Sequence, residues 1–123
     1  MASSFQYSSD YSPPAPVVKI TLRAQRTVEV VALLDSGADA TILPHELLKR
    51  IGARFAQTNQ MCGIAGKPVP VEFYFVTVQI DQFNLPGIKA VASRSSNEAI
   101  IGRDVLNHPI VTLDGIAGQT EIR

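Results

Sequence analysis

The stretch VVALLDSGADATIL at residues 30–43 decides how this chain can fold. Five apolar residues end abruptly at Asp35, and Ser36 and Gly37 follow the acid. A continuous apolar run is typical of a strand buried on both faces, and a carboxylate beside it is costly unless compensated. Because Gly37 lets the backbone turn tightly, the stretch predicts a carboxylate fixed at the end of a rigid strand, as acid–base chemistry requires. Asp-Ser-Gly alone is also common in surface turns, so the prediction depends on the strand before it.

The rest of the chain has the pattern of an all-β domain. Val17–Arg23 alternates, with Val18, Ile20 and Leu22 on one face, and a short link to Thr27–Leu34 predicts a hairpin. Several short strands with only two short helices predict a closed or sandwich-like β fold. The further predicted elements are strands at residues 69–80, 88–92 and 110–113, helices at residues 44–51 and 102–107, and a final hairpin turning at residues 114–118.

Composition limits the function classes. The 123 residues carry 11 basic and 11 acidic side chains, with 46% apolar residues, which fits one domain with a sizeable core. Cys62 is the single cysteine, so a disulfide within the chain is excluded, a reducing compartment is acceptable, and a closed metal site is not expected. The basic residues are scattered without a stripe for nucleic acid, and no apolar run has the length of a membrane span. We therefore expect a cytoplasmic protein without a cofactor.

The first 16 residues differ in amino-acid composition from the rest of the chain. They are rich in Ser, Tyr and Pro, and they lack the basic start and apolar run of a secretory signal. We expect a flexible tail at residues 1–16, followed by the folded domain at residues 17–123.

Three segments of the chain resemble segments of the retropepsin-like aspartic peptidases, and they occur in the same order as in that family. The run from Leu34 to Leu43 fits the family signature of an apolar strand followed by Asp-Thr/Ser-Gly-Ala. The run from Ile100 to Leu106 fits a second element, an apolar pair followed by Gly-Arg and Asn or Asp. Between them, residues 61–67 lie where the family has a glycine-bearing flap hairpin. The resemblance extends over about residues 17–122 and implies the closed acid protease fold, with a flap and one or two short helices.

The resemblance also implies a reaction and an assembly. In this family, one aspartate from each of two signature loops holds a water that attacks the peptide bond, and the two carboxylates share one proton. Among the 11 acidic residues, only Asp35 has the required context. The resemblance therefore implies a homodimeric aspartic endopeptidase acting on polypeptides, with Asp35 as the catalytic residue of each chain.

The family pattern assigns further roles position by position. Asp39 matches an acid that contacts the substrate backbone, and Arg103 matches the arginine that pairs with it. Asp104 departs from the retroviral Asn and receives no catalytic role, only a cap or a turn. The complete set is Ser36 and Gly37 as support of the catalytic loop, Ala38, Asp39, Gly63, Ile64, Ala65 and Gly66 in substrate binding, and Gly102 and Arg103 as structural support.

Two other interpretations stay open. The chain could be a non-catalytic dimerisation or peptide-binding module that keeps the fold, although such a module needs no buried carboxylate pair. It could also be a processing domain excised from a longer polyprotein. In the family, terminal strands commonly form the dimer interface, and which termini do so varies between branches.

Overall fold

The computed structural model describes residues 2–62 and 66–123 of the chain, with side chains described outside positions 61 and 62. Within these described residues, ten strands and two short helices make up the fold. The strands are β1 (Ser3–Gln6), β2 (Val17–Arg23), β3 (Thr27–Leu34), β4 (Ile42–Pro44), β5 (Arg54–Cys62), β6 (Pro68–Ile80), β7 (Phe83–Ser93), β8 (Ala99–Ile101), β9 (Val111–Asp114) and β10 (Gln119–Ile122), and the helices are α1 (His45–Arg50) and α2 (Arg103–Leu106).

The larger sheet closes on itself. Its strand order is β2-β3-β8-β4-β7-β6-β5, and β2 also pairs with β6, so that six strands form a closed barrel and β5 extends from it. The alternation in β2 places Val18, Ile20 and Leu22 in the core, each at most 1% exposed. The predicted β2–β3 hairpin and the closed all-β fold are confirmed.

Strand β8 lies between two strands that precede it in the chain. It runs parallel to β3, with Leu34 opposite Ile101, and antiparallel to β4, with Ile42 opposite Ile100. The chain therefore leaves β3, passes around the end of β8, and returns as β4. This topology brings the segment after Leu34 and the start of α2 to the same end of the barrel.

Both helices were expected, and both are slightly shorter than predicted. Pro44 stands before α1 as its N-cap with extended backbone, because its fixed φ suits the entry to the first turn. After Ile51, Gly52 takes a φ of 72° and ends the helix, as predicted. Strand β7 is longer than the predicted residues 88–92, because a register shift opposite β6 absorbs Pro86 and Gly87.

The apolar run before Asp35 is less buried than its composition predicts. Val31 is 60% exposed and Ala32 is fully buried, so the expectation of burial on both faces of this strand is wrong. One face of β3 meets the barrel core, and no layer of this chain packs over Val31 on the other face within the described residues.

The N-terminal segment also differs from the expectation of a flexible tail. Ser3–Gln6 forms β1, which pairs antiparallel with β10, and Ser8 forms an isolated bridge with Ala15. Phe5 packs against the main core. The physical reason is that the free edge of β10 offers hydrogen bonds that the polar sequence pattern of residues 1–16 does not reveal.

The C-terminal hairpin is present as predicted. Strands β9 and β10 pair antiparallel, and Gly118 has a φ of 65° in the turn between them. Together with β1 they form a separate three-stranded sheet in the order β1-β10-β9. Thr120 and Ile122 are buried, so one face of this sheet adds to the core.

Candidate active site

The loop after β3 holds Asp35 in a defined orientation. The backbone N–H of Asp35 donates to the carbonyl of Ile101 (3.0 Å), which ties the residue to β8. The N–H of Gly37 donates to Oδ1 of Asp35 (2.8 Å), and the N–H of Ala38 donates to the backbone carbonyl of Asp35 (3.2 Å). Asp35 is half-buried, while Ser36 and Gly37 are exposed. The carboxylate is therefore fixed by its own loop and stays open on one side.

Gly102 lets this loop pack directly against the start of α2. A Cβ at this position would lie 2.6 Å from the carbonyl carbon and oxygen of Ala40, and 2.9 Å from the oxygen of Ala38. These atoms are backbone atoms, so no side-chain rotation could relieve the overlap. The family element Gly-Arg thus has a steric reason here, and Gly102 gives structural support where the sequence predicted it.

Arg103 joins the two segments with its side chain. Its Nη1 donates to the carbonyl of Ser36 (2.7 Å), and its Nη2 forms an ion pair with Asp39, as predicted. Its backbone N–H donates to the carbonyl of Ala38 (2.9 Å). The side chains of Arg103 and Asp39 are 44% and 75% exposed, so the ion pair itself contributes only about 0–1 kcal/mol. The main contribution of Arg103 is to fix the position of the loop.

The flap arms are present as strands β5 and β6. They pair antiparallel as far as Cys62 opposite Pro68, and Gly66 takes a φ of 73°. Gly63, Ile64 and Ala65, which the sequence places at the flap tip, lie outside the described residues. The hairpin itself therefore follows the prediction, while the substrate-binding roles of its tip remain predictions.

Sequence comparison identifies the family. The family model described as "gag-polyprotein putative aspartyl protease" matches residues 20–108. The chain belongs to this family. The matched range includes the Asp35 loop, the flap arms and α2.

Solved structures agree with the family assignment at the level of the fold. The chain is similar to a retropepsin-like aspartic protease from Rickettsia conorii, with 12% identity and a TM-score of 0.70 over 99% of this chain and 90% of that chain. It is also similar to the EIAV protease in complex with the inhibitor HBY-793, with 21% identity and a TM-score of 0.61 over 84% and 92% of the two chains. No curated protein matches the sequence. The fold is therefore retropepsin-like, as the sequence predicted.

Within this aspartyl protease fold, Thr41 and Asp104 form a contact that the sequence analysis missed. The carboxylate of Asp104 accepts the Thr41 N–H (3.0 Å) at one oxygen and the Thr41 hydroxyl (2.8 Å) at the other. The Thr41 hydroxyl in turn accepts the N–H of Gly102 (3.3 Å). Thr41 is fully buried, so these bonds replace water for its polar groups. A hydroxyl residue between Ala40 and the apolar Ile42 was the available signal.

The two neighbouring acids of the loop at residues 35–41 both have partners within the chain. Asp39 is paired with Arg103, and Asp104 is bonded twice to Thr41. The Asp39 pair is exposed, whereas the bonds of Asp104 reach the buried Thr41. Among the described acids of this site, Asp35 is the one without a side-chain partner, and its Oδ1 accepts the Gly37 N–H.

An apolar cavity adjoins the loop at residues 35–41. Its volume is about 340 Å³, and Leu34 and Ser36, the two residues that flank Asp35 in the chain, are among its lining residues. Leu113, which is 56% exposed, also lines the cavity. The remaining lining residues are Leu106, Asn107 and Val111.

Two further features of the described residues concern ligands and membranes. Among residues 2–62 and 66–123, no group of three or more His, Cys, Asp or Glu side chains is arranged to hold a metal ion. In the same part of the chain, no helix has the length and apolar character needed to cross a membrane.

Proposed function

We propose that this protein is an aspartic endopeptidase that acts as a homodimer, with one active site formed by two copies of Asp35. The observation that supports this most directly is the state of the three carboxylates around the loop. Among the described residues, the half-buried Asp35 carboxylate is held by the backbone N–H of Gly37, whereas Asp104 is bonded twice to the buried Thr41 and Asp39 forms an exposed ion pair with Arg103. One chain thus supplies half of a two-carboxylate site, and a two-fold axis beside Asp35 supplies the other half.

The proposed mechanism uses the two carboxylates as general base and general acid. Since they share one proton, the ionised Asp35 accepts a proton from the water as its oxygen attacks the peptide carbonyl carbon. The protonated Asp35 of the other copy donates its proton to the carbonyl oxygen, which gives a neutral gem-diol. The diol then collapses as a proton passes to the leaving nitrogen, and the C–N bond breaks. The N–H of Gly37 keeps Oδ1 of Asp35 in place during these transfers.

The substrate is proposed to lie between the loop and the flap. Ala38 and Asp39 lie on the loop side, and the flap residues proposed to contact the substrate are Gly63, Ile64, Ala65 and Gly66. The antiparallel arms β5 and β6 are suited to support such a closing segment over a polypeptide. We propose a cytoplasmic location, with which the single Cys62 is compatible.

The apolar surface next to the loop supports the dimer. Leu34 and Leu113 line the cavity beside Asp35, and Ile110, the residue before the lining residue Val111, is 59% exposed. Strand β9 pairs with β10 on one side, so its other edge is free within the described residues. Exposed apolar residues on a free strand edge favour association with another chain. We propose that a second copy covers this surface and places the two Asp35 loops together.

The experiment that tests the proposal compares Asp35→Asn with the wild type on a mixed peptide library. We expect cleavage by the wild type and its loss in Asp35→Asn, because the amide cannot accept the water proton. Asp10→Asn, a change at an exposed acid far along the chain from the loop, is the matched control and should keep full activity.

Mixing the two proteins tests the shared site. Excess Asp35→Asn chain should inhibit the wild type by forming mixed dimers that hold one aspartate. Equal cleavage by both proteins would favour a non-catalytic dimerisation or peptide-binding module. Activity that does not depend on protein concentration, measured on a demonstrated monomer, would contradict the shared site.

A further inference from the structure

A group of basic side chains surrounds Phe75 at the base of the flap arms. Arg54, Phe75 and Lys89 lie side by side on β5, β6 and β7, because Phe75 pairs with Arg54 on one side and Lys89 on the other. The Arg54 guanidinium carbon is 4.7 Å from the centre of the Phe75 ring, and the Lys89 Nζ is 5.9 Å from it. Since Val76 faces the core, Phe75 faces outward. We call Arg54, Lys89 and the nearby Arg23 the cationic row.

The cationic row is held in place by neutral groups. Lys89 Nζ donates to the side-chain oxygen of Gln57 (3.2 Å). Arg23 donates to the side-chain oxygens of Gln79 (3.3 Å) and Asn84 (3.4 Å). Such bonds orient the positive charges without neutralising them.

Within residues 2–62 and 66–123, no carboxylate pairs with the cationic row. The two ion pairs of that part of the chain are Arg94 with Glu72, and Arg103 with Asp39. The charges of the row are therefore oriented, exposed to solvent and available to an external anion.

The fold gathers this charge from distant parts of the sequence. A cavity of about 500 Å³ lies beside the row and is lined by Arg23, Arg54, Phe75 and Thr77. Arg23, Arg54 and Lys89, which are far apart in sequence, thus lie on one surface of the structure.

We propose that the cationic row is a docking site for an acidic segment of a polypeptide. Aspartate or glutamate side chains would accept hydrogen bonds from the Arg23 and Arg54 guanidinium groups, which match a carboxylate in two-point geometry, and from Lys89. The cavity beside the row has room for such side chains. The bound segment would lie along the outer face of the sheet.

A peptide fits this surface better than a nucleic acid does. Nucleic acid binding of single strands uses open aromatic faces for base stacking, whereas Arg54 already covers the Phe75 ring. The net charge of the chain is zero, so no long-range field attracts a long polyanion. A short acidic peptide needs neither feature.

The docking site lies far from the proposed active site. Arg23 is opposite Thr27 at the first residue of β3, and Asp35 follows its last residue. Eight residues of strand span about 26 Å. If the acidic segment belongs to the substrate, a role that rests on the proposed function, it lies about eight extended residues from the bond that is cut.

Binding is tested by fluorescence anisotropy on the Asp35→Asn protein, so that no cleavage interferes. The probes are a labelled hexaglutamate peptide and, as its uncharged match, hexaglutamine. We expect binding of hexaglutamate that weakens with added salt, and we expect Arg54→Gln/Lys89→Gln to weaken it about tenfold. The control variant Lys19→Gln/Lys67→Gln removes two exposed lysines outside the row and should change affinity less than about twofold.

Three results would overturn the docking site. They are equal affinity for the two peptides, no loss in Arg54→Gln/Lys89→Gln with circular dichroism unchanged, and tighter binding of a single-stranded oligonucleotide of the same charge. If the double variant fails to fold, Arg23→Gln provides the same comparison. A different outcome is also informative: the Asp35→Asn protein binds hexaglutamate selectively, but the wild type cleaves no peptide. That outcome would refute the proposed function and still support the docking site.

Discussion

The loop at residues 35–41 and the C-terminal hairpin of β9 and β10 are organised in opposite ways. The loop has no regular secondary structure over most of its length, yet Arg103, Asp104 and the close approach of Gly102 fix its backbone from one side. The hairpin is regular, yet Leu113 on β9 and Ile110 immediately before β9 are exposed. The comparison shows that order at the site comes from contacts within the chain, whereas the hairpin is proposed to be completed by a second chain.

Gly102→Ala is expected to disrupt the packing of the loop at residues 35–41 more than any other substitution considered below. The added methyl would overlap backbone atoms of Ala40 at 2.6 Å, so we expect a loss of about 3 kcal/mol or more in the free energy of unfolding. Urea denaturation measures this loss. Gly115→Ala is the control, because a Cβ there has no atom within 4 Å. A Gly102→Ala protein as stable as Gly115→Ala would show that the close approach has no energetic weight.

Leu113→Asp tests whether the hairpin of β9 and β10 associates with a second chain. If a second copy covers this residue, a charge there should raise the dimer dissociation constant about 30-fold, or about 2 kcal/mol, with little change in the stability of the monomer. Sedimentation equilibrium measures the dissociation constant. Val69→Asp, at a residue of similar exposure on the flap arm, should leave it unchanged. The same dissociation constant in both variants would place the interface elsewhere.

A finer test of the loop uses Asp104. Asp104→Ala removes the two carboxylate oxygens that accept hydrogen bonds from the buried Thr41, so we expect a loss of about 1–2 kcal/mol in the free energy of unfolding. Asp104→Asn keeps one acceptor for the Thr41 N–H and should lose less. Thermal unfolding of the two variants gives the ranking, and an Asn variant less stable than the Ala variant would contradict the proposed contact.

The smallest expected effect concerns a third region, the N-terminal segment. The Tyr11 hydroxyl donates to Glu98, and this hydrogen bond, with burial, raises the pKa of Tyr11 to about 12. Since an unfolded tyrosine ionises near pH 10, the unfolded chain binds fewer protons between about pH 10 and 12. The free energy of unfolding should therefore fall as the pH rises through this window.

Tyr11→Phe should reduce that alkaline loss, as measured by urea denaturation at several pH values, while Tyr7→Phe should keep it. An unchanged pH dependence in Tyr11→Phe would show that the bond with Glu98 does not persist in solution.

The parts of the fold that the sequence predicts depend on local patterns. The alternation of Val18, Ile20 and Leu22 has a period of two, which is enough to place β2 in the core. Gly52 ends α1 where a helix stop was predicted. The Asp35 loop was found because its motif is a short continuous segment.

The parts that were missed depend on contacts between distant residues. Val31 is as apolar as its neighbours, and its exposure follows from the absence of a covering layer within the described part of the chain. The bond of Asp104 to Thr41 and the pairing of β1 with β10 join segments far apart in sequence. The same holds for the cationic row, which no linear pattern reveals.

The position of β8 between β3 and β4 has a consequence for the order of folding. Arg103 holds Ser36 across 67 positions of sequence, and Asp35 is tied to Ile101 of β8. Contacts of such long range form late, because the entropy of closing a long loop must be overcome first. During synthesis, a chain that ends before β8 lacks the partners that fix the Asp35 carboxylate. The proposed activity therefore becomes available only after most of the polypeptide has been made and folded.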